Sequence, residues 1–285
     1  MLRVALPNKG RLAEDVRDLF GDAGLEVRAR GERALVASLG GEFEAILVRA
    51  KDIPEFVADG AADVGVTGWD LMCESQRDLG MLLDLEFGGC RLVVAARDDS
   101  GIATIDDVIG SPRVATVFPH LAHQFFEKAG KSVTIVPVSG ATEIAPHLGI
   151  ADIIVDLTSS GSTLRVHQLH EVAVVLESSA RLICSPNPSK ETASAADELA
   201  EALSSVLRAR DKRYVMANVP RASLERARRV MPGVNGPTVV DILDGGTYVA
   251  VHAVVAQSAI YRTVADLKTL GAQGILVTRI ERLMP

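Results

Sequence analysis

Long apolar runs, paired cysteines, aromatic side chains and surplus positive charge are all scarce in this chain, and each scarcity removes a class of function. No segment approaches the roughly 18 consecutive apolar residues of a membrane-crossing helix, so no membrane partner is expected. Cys73, Cys90 and Cys184 stand alone without CxxC spacing, and an odd count fits a reducing compartment better than a disulfide framework. The N-terminus, Met-Leu-Arg-Val-Ala-Leu-Pro-Asn-Lys-Gly, has neither the apolar core nor the small-residue cleavage site of a secretory leader, which makes a soluble, cytoplasmic protein the expectation. A formal charge of −7 opposes general affinity for nucleic acid, so any anion site must be local. His120 and His123 are three apart, as are His167 and His170, but no Cys or carboxylate with ligand spacing completes either pair as a zinc site. Aromatics make up 4% of the residues and apolar residues 48%, leaving Val, Leu, Ile and Ala to build the core. That is the usage of α/β proteins with buried parallel strands.

What is present is an alternation of short β-branched runs with helical patterns, which predicts βα units. Strands are predicted at residues 2–6, 45–49 and 63–67, with helices from the turn at 7–11 to about 23, at Phe56-Val57 and from about 70. Asp52 reads as the N-cap of the middle helix and Pro54 as a first-turn residue. The pattern restarts with strands at 91–96, 113–116 and 133–137 and a helix at 119–129, giving two α/β lobes. A strand at 180–184 would return the chain to the first lobe, and an Ala-rich helix at 194–210 follows. From residue 214 the order becomes βαββαβ, a ferredoxin-like unit. The expected division is lobe I at 1–93, completed by about 180–210, lobe II at 94–179, and a C-terminal domain at 211–285. Two α/β lobes about a cleft are the periplasmic-binding-protein-like build.

Residues 150–164 join an apolar strand to a helix through a loop of hydroxyls and one glycine, with Asp156 near the strand's end. Backbone N–H groups of such a loop converge on an anion, and Thr158, Ser159, Ser160, Ser162 and Thr163 add rotatable donors while Gly161 lets the backbone approach. The lysine of a Walker-type loop is missing, which excludes an ordinary P-loop NTPase. A carboxylate ahead of the cradle suits a sugar phosphate, because Asp156 can accept from ribose hydroxyls or hold a metal bound to them. Glu143 lies upstream and either joins Asp156 or simply starts a helix. In open α/β sheets ligands sit beyond the carboxyl ends of the strands, so Lys9, Arg11, Arg49 and Lys51 read as polyphosphate ligands and Asp70, after Gly68, as an acceptor for a base amine. Taken singly, each reads equally as a solvated loop charge. The basic stretch from Arg221 to Arg229 mixes arginines with Glu225 and apolar residues at helical spacing, the pattern of a solvated amphipathic face.

These residues resemble, over essentially the whole length, the ATP phosphoribosyltransferase family in its long, hexamer-forming version. The resemblance rests on Leu6-Pro7-Asn8-Lys9-Gly10-Arg11-Leu12, Val66-Thr67-Gly68-Trp69-Asp70-Leu71, Phe87-Gly88-Gly89-Cys90-Arg91-Leu92, and the run from Glu143-Ile144-Ala145 to Asp156-Leu157-Thr158-Ser159-Ser160-Gly161-Ser162-Thr163-Leu164. It implies transfer of the phosphoribosyl group of 5-phosphoribosyl 1-pyrophosphate to N1 of ATP with release of pyrophosphate, feedback inhibition by histidine, and a homo-oligomer between dimer and hexamer. It implies that Glu143 and the loop from Asp156 and Leu157 through Thr163 hold the phosphoribosyl group and Mg²⁺, with Asp156 and Glu143 at the metal. ATP would lie in the first lobe near Lys9, Arg11, Arg49, Lys51, Gly68, Asp70 and Arg91, and histidine near Asn218, Thr238 and Gly274. The alternative that the two-lobed build leaves open is a non-catalytic small-anion-binding protein.

Overall fold

The structure is a computed structural model that describes residues 1–29, 31, 34–243 and 246–284. The chain divides into two compact units, Met1–Ala200 and Glu201–Pro285.

The first unit holds two sheets. β1 (Arg3–Pro7), α1 (Ala13–Asp22), β2 (Val27–Ala29), β3 (Val36–Leu39), β4 (Phe43–Val48), α2 (Ile53–Ala58), β5 (Val64–Gly68), α3 (Trp69–Ser75) and β6 (Gly80–Asp84) form the first lobe. The second comprises β7 (Cys90–Arg97), β8 (Arg113–Thr116), α4 (Pro119–Lys128), β9 (Thr134–Pro137), β10 (Ile153–Thr158), α5 (Ser162–Val166) and β11 (Leu169–Ser178). The chain then returns as β12 (Ala180–Cys184), which lies antiparallel between β5 and β6, and continues into α6 (Lys190–Arg210). The sheet orders are β2-β3-β4-β1-β5-β12-β6 and β11-β7-β10-β8-β9. The second sheet is built from the consecutive strands β7 to β11, while the first takes in β12 after the chain has crossed back, which is the periplasmic-binding-protein-like arrangement of two α/β lobes. β1, β4 and β5 run parallel, so their carboxyl ends lie along one edge, and β8 and β10 do the same in the second sheet.

The crossings themselves are paired. Leu85 N–H donates to Ala180 O and Ala180 N–H to Phe87 O, both at 2.9 Å. Ser179 Oγ donates to Asp84 Oδ1 at 2.9 Å, and Arg181 forms an ion pair with the same carboxylate.

Three expectations change. The boundary at 93 falls inside β7, which pairs along its length with β10 and β11 and so belongs to the second sheet. Asp52 stands at the N-cap of α2 with Pro54 in the first turn, as expected, but its side chain makes no capping bond, and a 3₁₀ turn at Ala50–Asp52 leads into the helix. Strands β2, β3, β6 and β11 are additional to the predicted set. In β11 the alternation is broken by register shifts between Glu171 and Ala173 and between Val174 and Leu176, which removes the period of two that would mark it.

In the second unit β13 (Lys212–Pro220), α7 (Leu224–Val230), β14 (Thr238–Asp241), β15 (Tyr248–Ala256), α8 (Ile260–Thr269) and β16 (Gln273–Arg279) follow α6. All neighbours in the order β14-β15-β13-β16 are antiparallel, the ferredoxin-like topology. Val215, Ala217, Val219 and Val251 bury one face against Ala227 and Leu267 of the helices. The alternating residues, Met216, Asn218 and His252, lie on the opposite face.

Candidate functional site

The hydroxyl loop is built where the sequence places it, after β10 and before α5. Val155 is buried, Asp156 and Leu157 are half-buried, and Thr158 is again buried, so the chain leaves the core at the loop. Thr158 Oγ1 accepts from Gly161 N–H at 2.9 Å and closes the turn. Gly161 takes φ +71°, a conformation that calls for glycine, and a Cβ there would lie 3.1 Å from Arg165 Nη1. Ser159, Ser160, Ser162 and Thr163 are exposed, with Ser160 Oγ donating to Ser162 Oγ at 2.9 Å.

One charged side chain braces this loop and two more pair beside it. Arg165 Nη1 donates to Ser160 O at 3.2 Å. Arg91 and Glu171 form a two-pronged ion pair at 2.7 and 2.9 Å, and Glu171 Oε1 would lie 3.4 Å from a Cβ at Gly161. Arg91, expected beside ATP in the first lobe, is therefore a residue of the second sheet. Its register opposite Thr158 sets it at the end of β10. Arg165 and Glu171 escaped the sequence reading. Arg165 stands four residues after Gly161 on α5, a signal that was available, whereas Glu171 lies on the irregular β11 and carried none.

Burial, foremost, and then the charge of Glu143 push Asp156 above the usual carboxylate range, against the opposing hydrogen bonds of Leu157 N–H (2.8 Å) and Thr142. Glu143 sits in the 3₁₀ turn Thr142–Ile144, near enough to Asp156 for the two charges to repel. Two mutually repelling carboxylates at the end of a strand suit a divalent cation. Among the described residues no third His, Cys, Asp or Glu joins them. Mg²⁺ accepts such a sparse set, because it binds through one or two carboxylates and completes its shell with water and phosphate oxygens.

The first lobe contributes a different surface. Asn8 N–H donates to Val48 O at 2.8 Å, which brings the turn holding Lys9 and Arg11 beside that holding Arg49 and Lys51. All four cations are exposed, and none is ion-paired among the described residues. Asn8, passed over as a site residue, leaves Oδ1 buried without a hydrogen-bond partner.

Asp70 departs from expectation. It is 2% exposed, and Ser178 Oγ donates to its carboxylate while accepting from Asp70 N–H at 3.0 Å. A Cβ at Gly68 would collide with that carboxylate. Gly68 and Asp70 therefore shape the turn after β5, and the Asp70 carboxylate is occupied by Ser178.

Two of the thiols are held protonated. Burial first, and then Asp70, raise Cys73 to about 11, and burial likewise raises Cys184. His120 and His123 lie on α4, while His170 meets Asp98 and Ile102 O, and among the described residues no cluster of three His, Cys, Asp or Glu includes either pair.

In the second unit Asn218 pairs with Ala250, and a Cβ at Gly274 would lie 3.4 Å from Asn218 Nδ2. Thr238 pairs with His252, which also pairs with Met216, so Thr238 shares the helix-free face of the sheet with Asn218.

Comparison with known proteins agrees with this architecture. The family profile HisG, ATP phosphoribosyltransferase, matches residues 49–205, and the profile of the HisG C-terminal domain matches residues 209–282. The chain is 64% identical over 292 residues to ATP phosphoribosyltransferase of Gemmatimonas aurantiaca and 44% over 288 to that of Methanocaldococcus jannaschii, each match covering 100% of both chains. Among solved structures, a chain of the ATP phosphoribosyl transferase (HisG:HisZ) complex from Thermotoga maritima is 27% identical with a TM-score of 0.65, covering 73% of this chain and 99% of that one. Fold, loop and relatives together define a two-lobed glycosyltransferase with an appended ferredoxin-like domain. The chain belongs to the ATP phosphoribosyltransferase family, whose reaction is the first step of histidine biosynthesis. Full-length identity to enzymes decides against the non-catalytic anion-binding alternative.

Proposed function

We propose that the two lobes divide the substrates of this reaction. The hydroxyl loop from Asp156 to Thr163 takes the 5-phosphate and ribose of phosphoribosyl pyrophosphate, and the exposed cations Lys9, Arg11, Arg49 and Lys51 take the triphosphate of ATP. The observation that carries this reading is the loop itself, closed on Thr158 at a left-handed Gly161 with its free hydroxyls outward. Adenine N1 attacks the anomeric carbon as the C1–O bond to pyrophosphate breaks, and the leaving group keeps the bonding pair. N1 carries an in-plane lone pair at neutral pH, so no general base is needed, and alignment and charge neutralisation supply the catalysis. Asp156 and Glu143 would hold Mg²⁺, which when bound would supply positive charge to neutralise the departing pyrophosphate. Arg165 acts by holding the loop.

Histidine binding in the C-terminal domain is the regulatory half of the reading, supported by Asn218, Thr238 and Gly274 lying on or beside the helix-free sheet face. The same face leaves Tyr214, Val240 and Leu276 between 37% and 53% exposed, which supports a homo-oligomer between dimer and hexamer. We place the enzyme in the cytoplasm, in keeping with three unpaired cysteines.

The test is to combine ATP, phosphoribosyl pyrophosphate, Mg²⁺ and a pyrophosphatase and to follow the N1-ribosylated nucleotide spectroscopically. Turnover that requires Mg²⁺ and falls when histidine is added is expected. No product under these conditions would overturn the reading, and product insensitive to histidine would overturn its regulatory half.

A further inference from the structure

Helix α3 is anchored in both lobes at once. It leaves β5 of the first sheet, and Met72 enters the first lobe's core with Ile53, Val57 and Ile183. Arg77, just beyond its end, pairs with Glu55 and Asp59 on and after α2. Leu71 and Cys73 instead pack against the second lobe's cluster, which contains Leu92, Val94 and Phe126.

The polar contacts repeat the pattern. Asp70 is held by Ser178, the last residue of β11. One helical turn further on, Glu74 accepts from two backbone N–H groups at the start of α4: His120 N–H meets Oε1 and Leu121 N–H meets Oε2, both at 3.0 Å. Those are among the donors that a helix cannot satisfy internally, and Phe118 at the N-cap offers no side-chain acceptor. The cap of α4 thus comes from the other lobe. Its position matters for chemistry, because α4 follows β8, and β8 runs parallel to β10, whose end bears the hydroxyl loop.

We propose that Glu74 is a positioning residue for phosphoribosyl transfer: by capping α4 across the lobes it holds the first lobe's strand ends at the working distance from the hydroxyl loop. The proposal rests on the division of substrates between the lobes. A carboxylate with both oxygens engaged fixes direction as well as distance, and the negative charge favours the positive end of α4. Once the cap is lost, the lobes remain joined by the crossings at 85–89 and at Ser179 and by the apolar side chains of α3. The spacing that admits both substrates then becomes a minority state, and apparent affinity falls in proportion to its population.

The test compares wild type, Glu74→Ala and Glu74→Gln by substrate kinetics, small-angle X-ray scattering of the free enzyme, and hydrogen exchange at the amides of His120 and Leu121. For Glu74→Ala we expect KM for both substrates to rise by about tenfold with kcat within about twofold, since saturating substrates restore the closed spacing. We also expect a larger radius of gyration and faster exchange at both amides. Glu74→Gln, which keeps an acceptor but not the charge, should fall between the two and serves if Glu74→Ala folds poorly. Lower melting temperature with unchanged KM values and scattering would reduce Glu74 to a stabilising cap and overturn the proposal. Loss of kcat with unchanged KM and scattering would overturn it as well. Scattering and exchange need no turnover, so failure of this tie is distinguishable from failure of the proposed division of substrates.

Discussion

The two lobes meet anions in opposite ways. In the first, Lys9, Arg11, Arg49 and Lys51 project from strand-end turns, exposed and unpaired among the described residues, so their charge is available but their geometry is loose. In the second, the cations near the hydroxyl loop are already engaged, Arg91 with Glu171 and Arg165 with Ser160 O, while short hydroxyls and a glycine turn present the binding surface. Long flexible cations suit a triphosphate chain with many rotamers, and a braced loop suits a single phosphate that must be set precisely enough to expose C1. On the proposed division of substrates, alignment falls to the second lobe and charge to the first.

If that assignment holds, the largest losses must come from the second lobe. Asp156→Asn keeps shape but removes the charge at the ribose, and we expect kcat/KM to fall by about 10²–10³-fold with secondary structure intact by circular dichroism. Retention of a rate within a few-fold of wild type would move the reacting centre elsewhere. Gly161→Ala is next. A non-glycine residue in the left-handed region costs about 1–2 kcal/mol, so KM for phosphoribosyl pyrophosphate should rise by about 5- to 30-fold. KM for ATP should stay near its original value, and an equal rise in both would erase the distinction between the lobes.

Smaller, and opposite in selectivity, are the effects expected in the first lobe. Arg49→Gln and Lys51→Gln should each raise KM for ATP by about three- to tenfold, with little change for phosphoribosyl pyrophosphate. Exposed charges are screened over about 8 Å at physiological ionic strength, so this penalty should shrink when wild type and variants are compared at rising salt. The Gly161→Ala penalty is steric and should not shrink. Salt dependence of equal size in both sets would contradict the contrast.

The same contrast explains what could be read from the sequence. The hydroxyl loop was legible because its chemistry is local: strand, acidic residue, hydroxyls, glycine and helix are contiguous from Ile153 to Val166. The βαββαβ order of the last unit was legible because each element carries its own periodicity. Arg91 was assigned to the wrong lobe because partnership across strands is set by register, and β11, which supplies Glu171, loses its alternation at two irregularities. Asp70 looked like a ligand for a related reason: Ser178 is more than a hundred residues away along the chain, and only the fold reveals that it occupies the carboxylate. Long-range pairing also hid Glu74, whose partners are backbone amides that no residue type announces.

The smallest effect expected is on stability, and it carries the sign opposite to that on activity. Asp156 binds its proton more tightly in the folded state than a free carboxylate does, because burial and Glu143 disfavour its charge. Between the unfolded value of about 3.9 and the higher folded value the native state holds more protons, so this group lowers stability as pH rises through that window and leaves the deficit in place above it. Asparagine has no such charge to bury. In buffer without Mg²⁺ or substrate near neutral pH, Asp156→Asn should therefore melt about 1–3 °C above wild type, and the gap should close on acidification through the window. Adding Mg²⁺ and phosphoribosyl pyrophosphate should reverse the order, since ligands stabilise the folded state in proportion to their affinity for it and wild type alone retains the carboxylate. An unliganded melting temperature for the variant that is lower at every pH would mean that Asp156 is held by stabilising contacts, and the tension between its charge and its burial would not be what prepares this loop for a cation.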